Sequence, residues 1–347
     1  MPLAPNLVER TVFLTLNQAP GPILDLWSGA AFHTVLAAIR LNLFETLQAR
    51  PQTAEELAQQ LQIDPQGARL LLAALAALGY VTQRSDAYAN SAMTSKWFTQ
   101  AGVLNMTPFY QYWGVLIEHF LPKLTESIRA GAPPVNLYEW IEDQPEASRY
   151  FQEGMIAITR FVQKDVLGKM TLPATARRLL DLGGGHGAYS IALCRQYPQL
   201  TAVIFDSEQA LTSGKAAIAG AGLDARITTQ VGNFVTDPVA GGYDVVLCFN
   251  IVHGFSSEQN IALLRKIKDT LNPGGQVIIL DQIPGVSPLP LQETIVRLLS
   301  LSFYHLLGGR VYSAAEIQGW LQAAGFVRVQ RRNIPKAGSA LLIGAKG

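Results

Sequence analysis

From about Ala176 the chain alternates strand-length apolar runs with helical stretches, and this alternation limits the fold more than any other feature of the sequence. The runs are RLLDL (178–182), TAVIF (201–205), ARITTQV (225–231), YDVVLCF (243–249) and QVIILD (276–281), and segments 187–197, 208–219 and 257–271 between them are patterned as helices. Runs with so few polar positions are strands covered on both faces, and helical returns make neighbouring strands parallel. GFVRVQRRNI (325–334) and SALLIGAK (339–346) break the pattern, because only residues 335–338 separate them. Four residues are too few for a crossover, so the last strand is expected to run antiparallel, at or near the sheet edge. The expected fold is α/β, a doubly wound, Rossmann-like sheet of seven strands ending in an antiparallel hairpin.

Residues 1–165 read as mostly helical. The stretch 23–47 is apolar nearly all round, which predicts one helix buried on more than one face, as at a subunit interface. Thr53 and Glu56 make a capping box, Asp64-Pro65 opens the next helix, and Gly79 closes it. YVTQRSDAYANS then alternates like a small hairpin, so the order is that of a winged helix. Its presumed recognition helix, LLLAALAAL after Arg69, offers no side chain to read a base edge, and the segment 53–91 carries Arg69 and Arg84 against Glu55, Glu56, Asp64 and Asp86. Packing or dimerisation is therefore expected rather than DNA binding. The expected divisions are an N-terminal helical domain (1–103), a helical linker rich in aromatics (104–175) and the α/β domain (176–347).

Charge supports that reading. Among 347 residues, 27 basic and 26 acidic side chains balance, and only 15% are charged. The balance opposes a nucleic-acid partner, and the apolar half of the chain excludes general disorder. So little charge predicts surface covered by another subunit, hence a homodimer. Cys194 and Cys248 lie in apolar stretches without C-x-x-C spacing and read as reduced core thiols. MPLAPNLVER has no signal-peptide pattern, the greasy stretches are broken too early to span a bilayer, and a cytoplasmic protein without a membrane partner is expected.

DLGGGHGAYS (181–190) follows the first strand and opens a helix. Glycines there let the backbone turn sharply and approach a ligand, and the helix amides face it. Asp206 ends the next strand, 21 residues after Gly185. A carboxylate in that position accepts hydrogen bonds from ribose hydroxyls, so a nucleoside cofactor is implied. Gly183, Gly185 and Ala188 can be fitted to a dinucleotide fingerprint. S-adenosylmethionine fits better, because the loop suits an amino-acid tail, a second ligand loop VGNFV (231–235) follows the third strand, and LNPGGQVIILD (271–281) gives a helix end, a tight turn and the fifth strand.

With these motifs in place, the chain resembles the class I S-adenosylmethionine-dependent methyltransferases, and more narrowly the O-methyltransferases that include plant caffeate and hydroxyindole enzymes and bacterial antibiotic-tailoring enzymes. The resemblance runs through the winged-helix dimerisation module, FQEGM (151–155), the glycine loop, NIVHGFS (250–256), LNPGG (271–275) and GGRVYSAAEIQGWLQAAGF (308–326). It implies transfer of a methyl group to a hydroxyl of an aromatic or polyketide-like molecule in secondary metabolism. It places Gly183, Gly185 and Asp206 at the cofactor. Asn233 stands where the family has an adenine-binding Asp, Phe234 beneath the adenine, and Phe249 where a Lys is usual.

The family's catalytic base, the His of an H-D-W motif, maps to His253. A phenol titrates near 10, and a neutral imidazole in reach can remove its proton as the methyl moves. Gly254 and Phe255 replace the family's Asp and Trp, and Val311 replaces a second bracing carboxylate, which leaves Asp281 as the candidate brace. No metal-ligand spacing is present. Phe109, Trp113, Met155 and Tyr304 are candidates for the acceptor pocket, with His119 and His305 as further alternatives. Three rival readings stand beside this one: C- or N-methylation or a non-methylating reaction on the same fold and cofactor, an NAD-dependent dehydrogenase, and a winged-helix regulator.

Overall fold

The computed structural model describes residues 6–18, 20–102 and 104–347. The first five residues of the stretch screened for a signal peptide, and Val103 at an expected domain boundary, lie outside them. The chain divides into two units, Met1–Glu118 and His119–Gly347. The aromatic segment 104–175 is thus shared between them.

The first unit contains α1 (Leu7–Arg10), α2 (Ile23–Arg40), α3 (Leu43–Ala49), β1 (Gln52–Thr53), α4 (Ala54–Leu61), α5 (Pro65–Ala77), β2 (Val81–Arg84), β3 (Ala87–Asn90), α6 (Ala92–Trp97) and all but the last residue of α7 (Thr107–His119). The continuous helix expected over 23–47 is broken. Asn42 takes a left-handed backbone, φ 59°, and turns α2 into α3. Asn is one of the few non-glycine residues that adopts this conformation readily. In α2 the buried residues are Val35, Leu36, Ala38 and Ile39, while Leu26 and Trp27 are exposed. The Thr53 hydroxyl accepts the Glu56 N–H at 3.2 Å and the Glu56 carboxylate accepts the Thr53 N–H at 2.8 Å. A cap of this kind stabilises a helix by about 1 kcal/mol. Asp64 caps α5 with Pro65 at its first position. The hairpin β2–β3 forms, and β1 adds a third strand beside β3. An aromatic group of Phe44, Tyr80, Phe98 and Tyr110 fills the core beneath it, Phe98 meeting Tyr110 edge-on at 4.8 Å.

The second unit runs α8 (Leu124–Ala130), α9 (Leu137–Glu142), α10 (Pro145–Leu167), β4 (Arg178–Leu182), α11 (Ala188–Gln196), β5 (Thr201–Asp206), α12 (Glu208–Ala221), β6 (Ile227–Val231), β7 (Tyr243–Phe249), α13 (Ser257–Thr270), β8 (Leu271–Gln282), α14 (Pro290–Leu307), α15 (Ala314–Ala323), β9 (Phe326–Ile334) and β10 (Ser339–Lys346). The seven strands form one sheet in the order β6-β5-β4-β7-β8-β10-β9. β4 to β8 are mutually parallel, and β10 runs antiparallel to both β8 and β9. The final strand is therefore one place in from the edge, and β9 is the edge itself.

Side-chain alternation explains the unbroken apolar runs. In β7, Val246 and Cys248 enter the core under α13 and α15, whereas Val245, Leu247 and Phe249 enter the core under α10, α11 and α12. Both cysteines are free and buried. β8 begins earlier than expected: Leu271 already pairs with Tyr243, and the Pro-Gly-Gly bend is an irregularity inside the strand rather than a turn before it. Gly274, at φ 74°, supplies that bend. The strand order reverses between β4 and β7, which opens a crevice at their carboxyl ends.

Candidate functional site

The glycine loop follows β4 directly. Gly183, Gly185 and Gly187 have φ of 64°, 32° and 69°, a left-handed region that costs a side chain dearly. A Cβ on Gly183 would meet Ile251 Cδ1 at 2.4 Å and Phe234 at 3.5 Å. Gly183 and Phe234 are thus brought together. Asp206 closes the other side: its Oδ2 accepts the Gly185 N–H at 2.9 Å and its Oδ1 accepts the Ser207 N–H at 2.8 Å. Burial holds this carboxyl above its ordinary range, although both amide bonds oppose the shift. Each oxygen keeps acceptor capacity for a hydroxyl donor.

Asn233 and Phe234 follow β6. The Asn233 side-chain oxygen accepts the Val235 N–H at 2.9 Å, and the Asn233 N–H is bonded to Asp237. Phe234 meets Phe205 edge-on at 6.5 Å. Phe249 lies against the Tyr189 ring, 4.8 Å between centroids and nearly perpendicular.

His253 sits in the short turn Val252–Gly254 after β7 and is 6% exposed. Its Nδ1 lies 2.8 and 3.1 Å from the two oxygens of Asp281, near the end of β8 and 1% exposed. Asp281 also accepts the backbone N–H groups of His253 and Gln282, at 3.3 and 2.8 Å. An acceptor held in this way keeps the proton on Nδ1 and leaves the lone pair on Nε2. The expected brace is therefore in contact with the imidazole. The turn itself is pinned. Buried Asn260 donates to the Val252 and Phe255 carbonyls, and the Tyr312 hydroxyl donates to the Phe255 carbonyl at 2.6 Å. A Cβ on Gly309 would lie 2.0 Å from the His253 carbonyl oxygen, so the glycine at 309 is what allows this close approach.

The candidates for the acceptor pocket are divided. Phe109 and Trp113 lie in the first unit, on α7, edge to face at 6.3 Å. Met155 lies in the second, on α10, one turn before Thr159. The Tyr304 hydroxyl, on α14, lies 3.5 Å from the Ser127 carbonyl. His305 is fully buried: the Ser127 hydroxyl meets its Nδ1 at 2.6 Å and its Nε2 donates to the Phe120 carbonyl at 2.9 Å, so it ties α14 to α8. His119 packs against Trp140.

Three groups, Asp181, Gly214 and Tyr138, escape a sequence reading, and a fourth, His186, reads in the sequence only as a shaping residue of the glycine loop. Asp181, at the end of β4, is buried beneath the loop. It accepts the Ser190 hydroxyl at 2.6 Å, and a Cβ on Gly184 would meet its carboxyl at 2.4 Å. Burial pushes its pKa up to about 7, against the lowering effect of Ser190. His186 accepts the Ala188 N–H on Nδ1 and faces the Thr159 hydroxyl with Nε2. Burial, and then Arg160, push its pKa down to about 4, so it is neutral at pH 7. Gly214 lets α12 touch the loop, for a Cβ there would lie 2.2 Å from the Gly185 carbonyl oxygen. Tyr138 on α9 has 45% of its surface open, yet its phenol is hemmed in. Crowding by protein, then the charges of Asp206 and Asp281, push its pKa up to about 12. The acids at strand ends carried a hint of the first group; the others depend on contacts between distant segments.

Among the described residues no group of three or more His, Cys, Asp or Glu side chains is placed to hold a metal ion. No helix there is long and apolar enough to cross a membrane.

Residues 113–327 match the model of the O-methyltransferase domain, and residues 24–101 that of the O-methyltransferase dimerisation domain. The chain belongs to the O-methyltransferase family. It is 32% identical over 325 residues to the 3-hydroxy-5-methyl-1-naphthoate 3-O-methyltransferase of Streptomyces sahachiroi, covering 90% of both chains. It is 28% identical to the L-tyrosine C(3)-methyltransferase of Streptomyces lavendulae, over 87% of this chain and 85% of that one. Human N-acetylserotonin methyltransferase, solved with S-adenosylmethionine, shares the fold at a TM-score of 0.82 and 21% identity, over the whole of both chains. The O-methyltransferase is an enzyme whose cofactor is S-adenosylmethionine. The left-handed glycine bend, the Gly183–Phe234 approach and the acceptor capacity of Asp206 fit that group.

Proposed function

We propose that this O-methyltransferase methylates a hydroxyl of an aromatic or polyketide-like small molecule, with His253 as general base. The observation that carries the reading is the Nδ1–Asp281 contact, which makes Nε2 the proton-accepting edge of a buried imidazole beside the glycine loop. When bound, the cofactor supplies an electrophilic methyl group on sulfur. Nε2 accepts the acceptor's hydroxyl proton, and the Asp281 carboxylate stabilises the resulting imidazolium through Nδ1–H, a service worth roughly 10²–10⁴ in rate. Gly183, Gly185 and Asp206 bind the cofactor's polar parts, Asn233 and Phe234 its base, and Phe249 helps to wall the site. Of the acceptor-pocket candidates, Met155 and Tyr304 belong to the same unit as His253 and line the pocket in this reading. The naphthoate enzyme among the relatives supports an aromatic acceptor and a place in secondary metabolism.

In the same reading the enzyme is a cytoplasmic homodimer. The exposed Leu26 and Trp27 on α2, within the matched dimerisation domain, support pairing of two copies through a winged-helix module that binds no DNA. Carbon methylation is the second reading, supported by the likeness to the tyrosine C(3)-methyltransferase. Incubation with methyl-labelled S-adenosylmethionine and a panel of phenols, hydroxynaphthoates and tyrosine separates the two. Label on oxygen, formed about 10²–10⁴-fold more slowly in His253→Ala, is the expected result. Label on ring carbon, or transfer unchanged in His253→Ala, overturns the proposed base chemistry.

A further inference from the structure

The His253 imidazole is gripped on a second side. The Phe303 ring lies flat on it, with centroids 3.8 Å apart and an interplanar angle of 5°. Asp281 alone leaves the ring freedom to swing: with two oxygens at 2.8 and 3.1 Å, Nδ1 can trade one for the other as the ring rotates about its bond to Cβ. A flat contact on the face removes that rotation. Phe303 is itself fixed, because α14 is anchored two residues later by the doubly bonded His305, and three residues earlier Ser300 accepts the Val311 N–H at 3.2 Å. The turn beneath the imidazole is equally fixed, by Asn260 and Tyr312.

We infer that Phe303 is a positioning residue for the base: it sets the plane of the His253 imidazole and so aims Nε2. Two carboxylates that the family resemblance leads one to expect near the base are absent here, replaced by Gly254 and Val311. A face contact from α14 and an edge contact from β8 together define the ring completely, with no further charge. The inference rests on the base reading above for its effect on rate, and on the stack alone for its effect on the ring. Catalytic groups are productive only within about 0.5 Å and 10–20° of their working geometry, so a ring free to swing loses turnover rather than affinity.

The test uses the full-length enzyme with Phe303→Leu, Phe303→Trp, His253→Ala and the His253→Ala/Phe303→Leu double variant. NMR of the histidine ring protons, with the His253 signals assigned by their loss in His253→Ala, reads the stack directly, since protons over an aromatic face are shifted upfield. In Phe303→Leu these signals move downfield. With methyl-labelled S-adenosylmethionine and 3-hydroxy-1-naphthoate as probe, kcat falls about tenfold or more while KM stays within about threefold. Phe303→Trp recovers both. In the His253→Ala background, Phe303→Leu has no further effect, because the two residues act as one unit. Unmoved ring signals in Phe303→Leu overturn the inference, as does a loss of kcat that persists in full without the imidazole. Full turnover in His253→Ala is a different failure: it removes the base reading, and the ring signals then decide the stack by themselves.

Discussion

Asp281 holds His253 by its Nδ1 edge, with one oxygen at 2.8 Å and the other at 3.1 Å, while two backbone amides hold Asp281. An amide in place of that carboxylate can donate to Nδ1, which moves the ring proton to Nε2. Asp281→Asn is therefore expected to lower kcat on the order of 10²–10³-fold with little change in acceptor KM. Steady-state kinetics at pH 7.5 checks this. A loss confined to KM would show that Asp281 serves binding instead.

Asp206 spends one oxygen on Gly185 and the other on Ser207, and both interactions shape the loop. Asp206→Ala leaves the Gly185 amide without its partner and, on the proposed cofactor role, removes the acceptor for ribose hydroxyls. Each hydrogen bond to a charged group is worth about 1.5–3 kcal/mol, so the Kd for S-adenosylhomocysteine should rise by at least about tenfold. Titration calorimetry reads it directly, and an unchanged Kd removes Asp206 from the cofactor site.

The close passage of α12 over the glycine loop predicts a stability defect at the contact itself. In Gly214→Ala the new methyl would sit 2.2 Å from the Gly185 carbonyl oxygen, so helix or loop must shift. The expected cost is about 1–3 kcal/mol, seen as a lower Tm together with weaker S-adenosylhomocysteine binding. Gly220→Ala on the same helix meets no atom within 4 Å and serves as the control.

Two buried groups make stability respond to pH in opposite senses. Asp181 has its folded pKa raised, to about 7. Between roughly pH 4 and 7 the unfolded state has given up a proton that the folded state retains, so its contribution falls as pH rises through that window. His186 has its folded pKa depressed, to about 4. Its contribution is complete above the unfolded value near 6.5 and is lost as pH falls toward 4. Thermal melts across pH 4–8 should show Asp181→Asn gaining on the native protein as pH rises, and His186→Gln gaining on it as pH falls. Parallel curves for all three would contradict both shifts.

Periodicity made the sheet legible, since strands covered on both faces cannot hide their apolar runs. The terminal hairpin was forced by the four-residue link between its strands. Asn42 shows where pattern fails: apolar residues run through the break between α2 and α3, and a single left-handed backbone decides it. In the candidate site, Gly183, Asp206 and His253 stand out because their chemistry is tied to strand ends. Asp281 was legible as the next acid on that sheet edge. The Phe303 stack and the Gly214 approach were not, because each is a contact with a residue far away in sequence, and a phenyl ring or a glycine has no spacing rule to announce it.

The placement of β10 between β8 and β9 bears on how the protein is made. β9 is made before the strand that gives it its hydrogen-bonding neighbour, so it cannot join the sheet until β10 follows. The parallel half of the sheet, with the glycine bend and Asp206, has all its strands by then. The parallel half can therefore form ahead of the rim, and a chain cut between Ile334 and Ser339 would keep β9 as a strand with no neighbour to pair with.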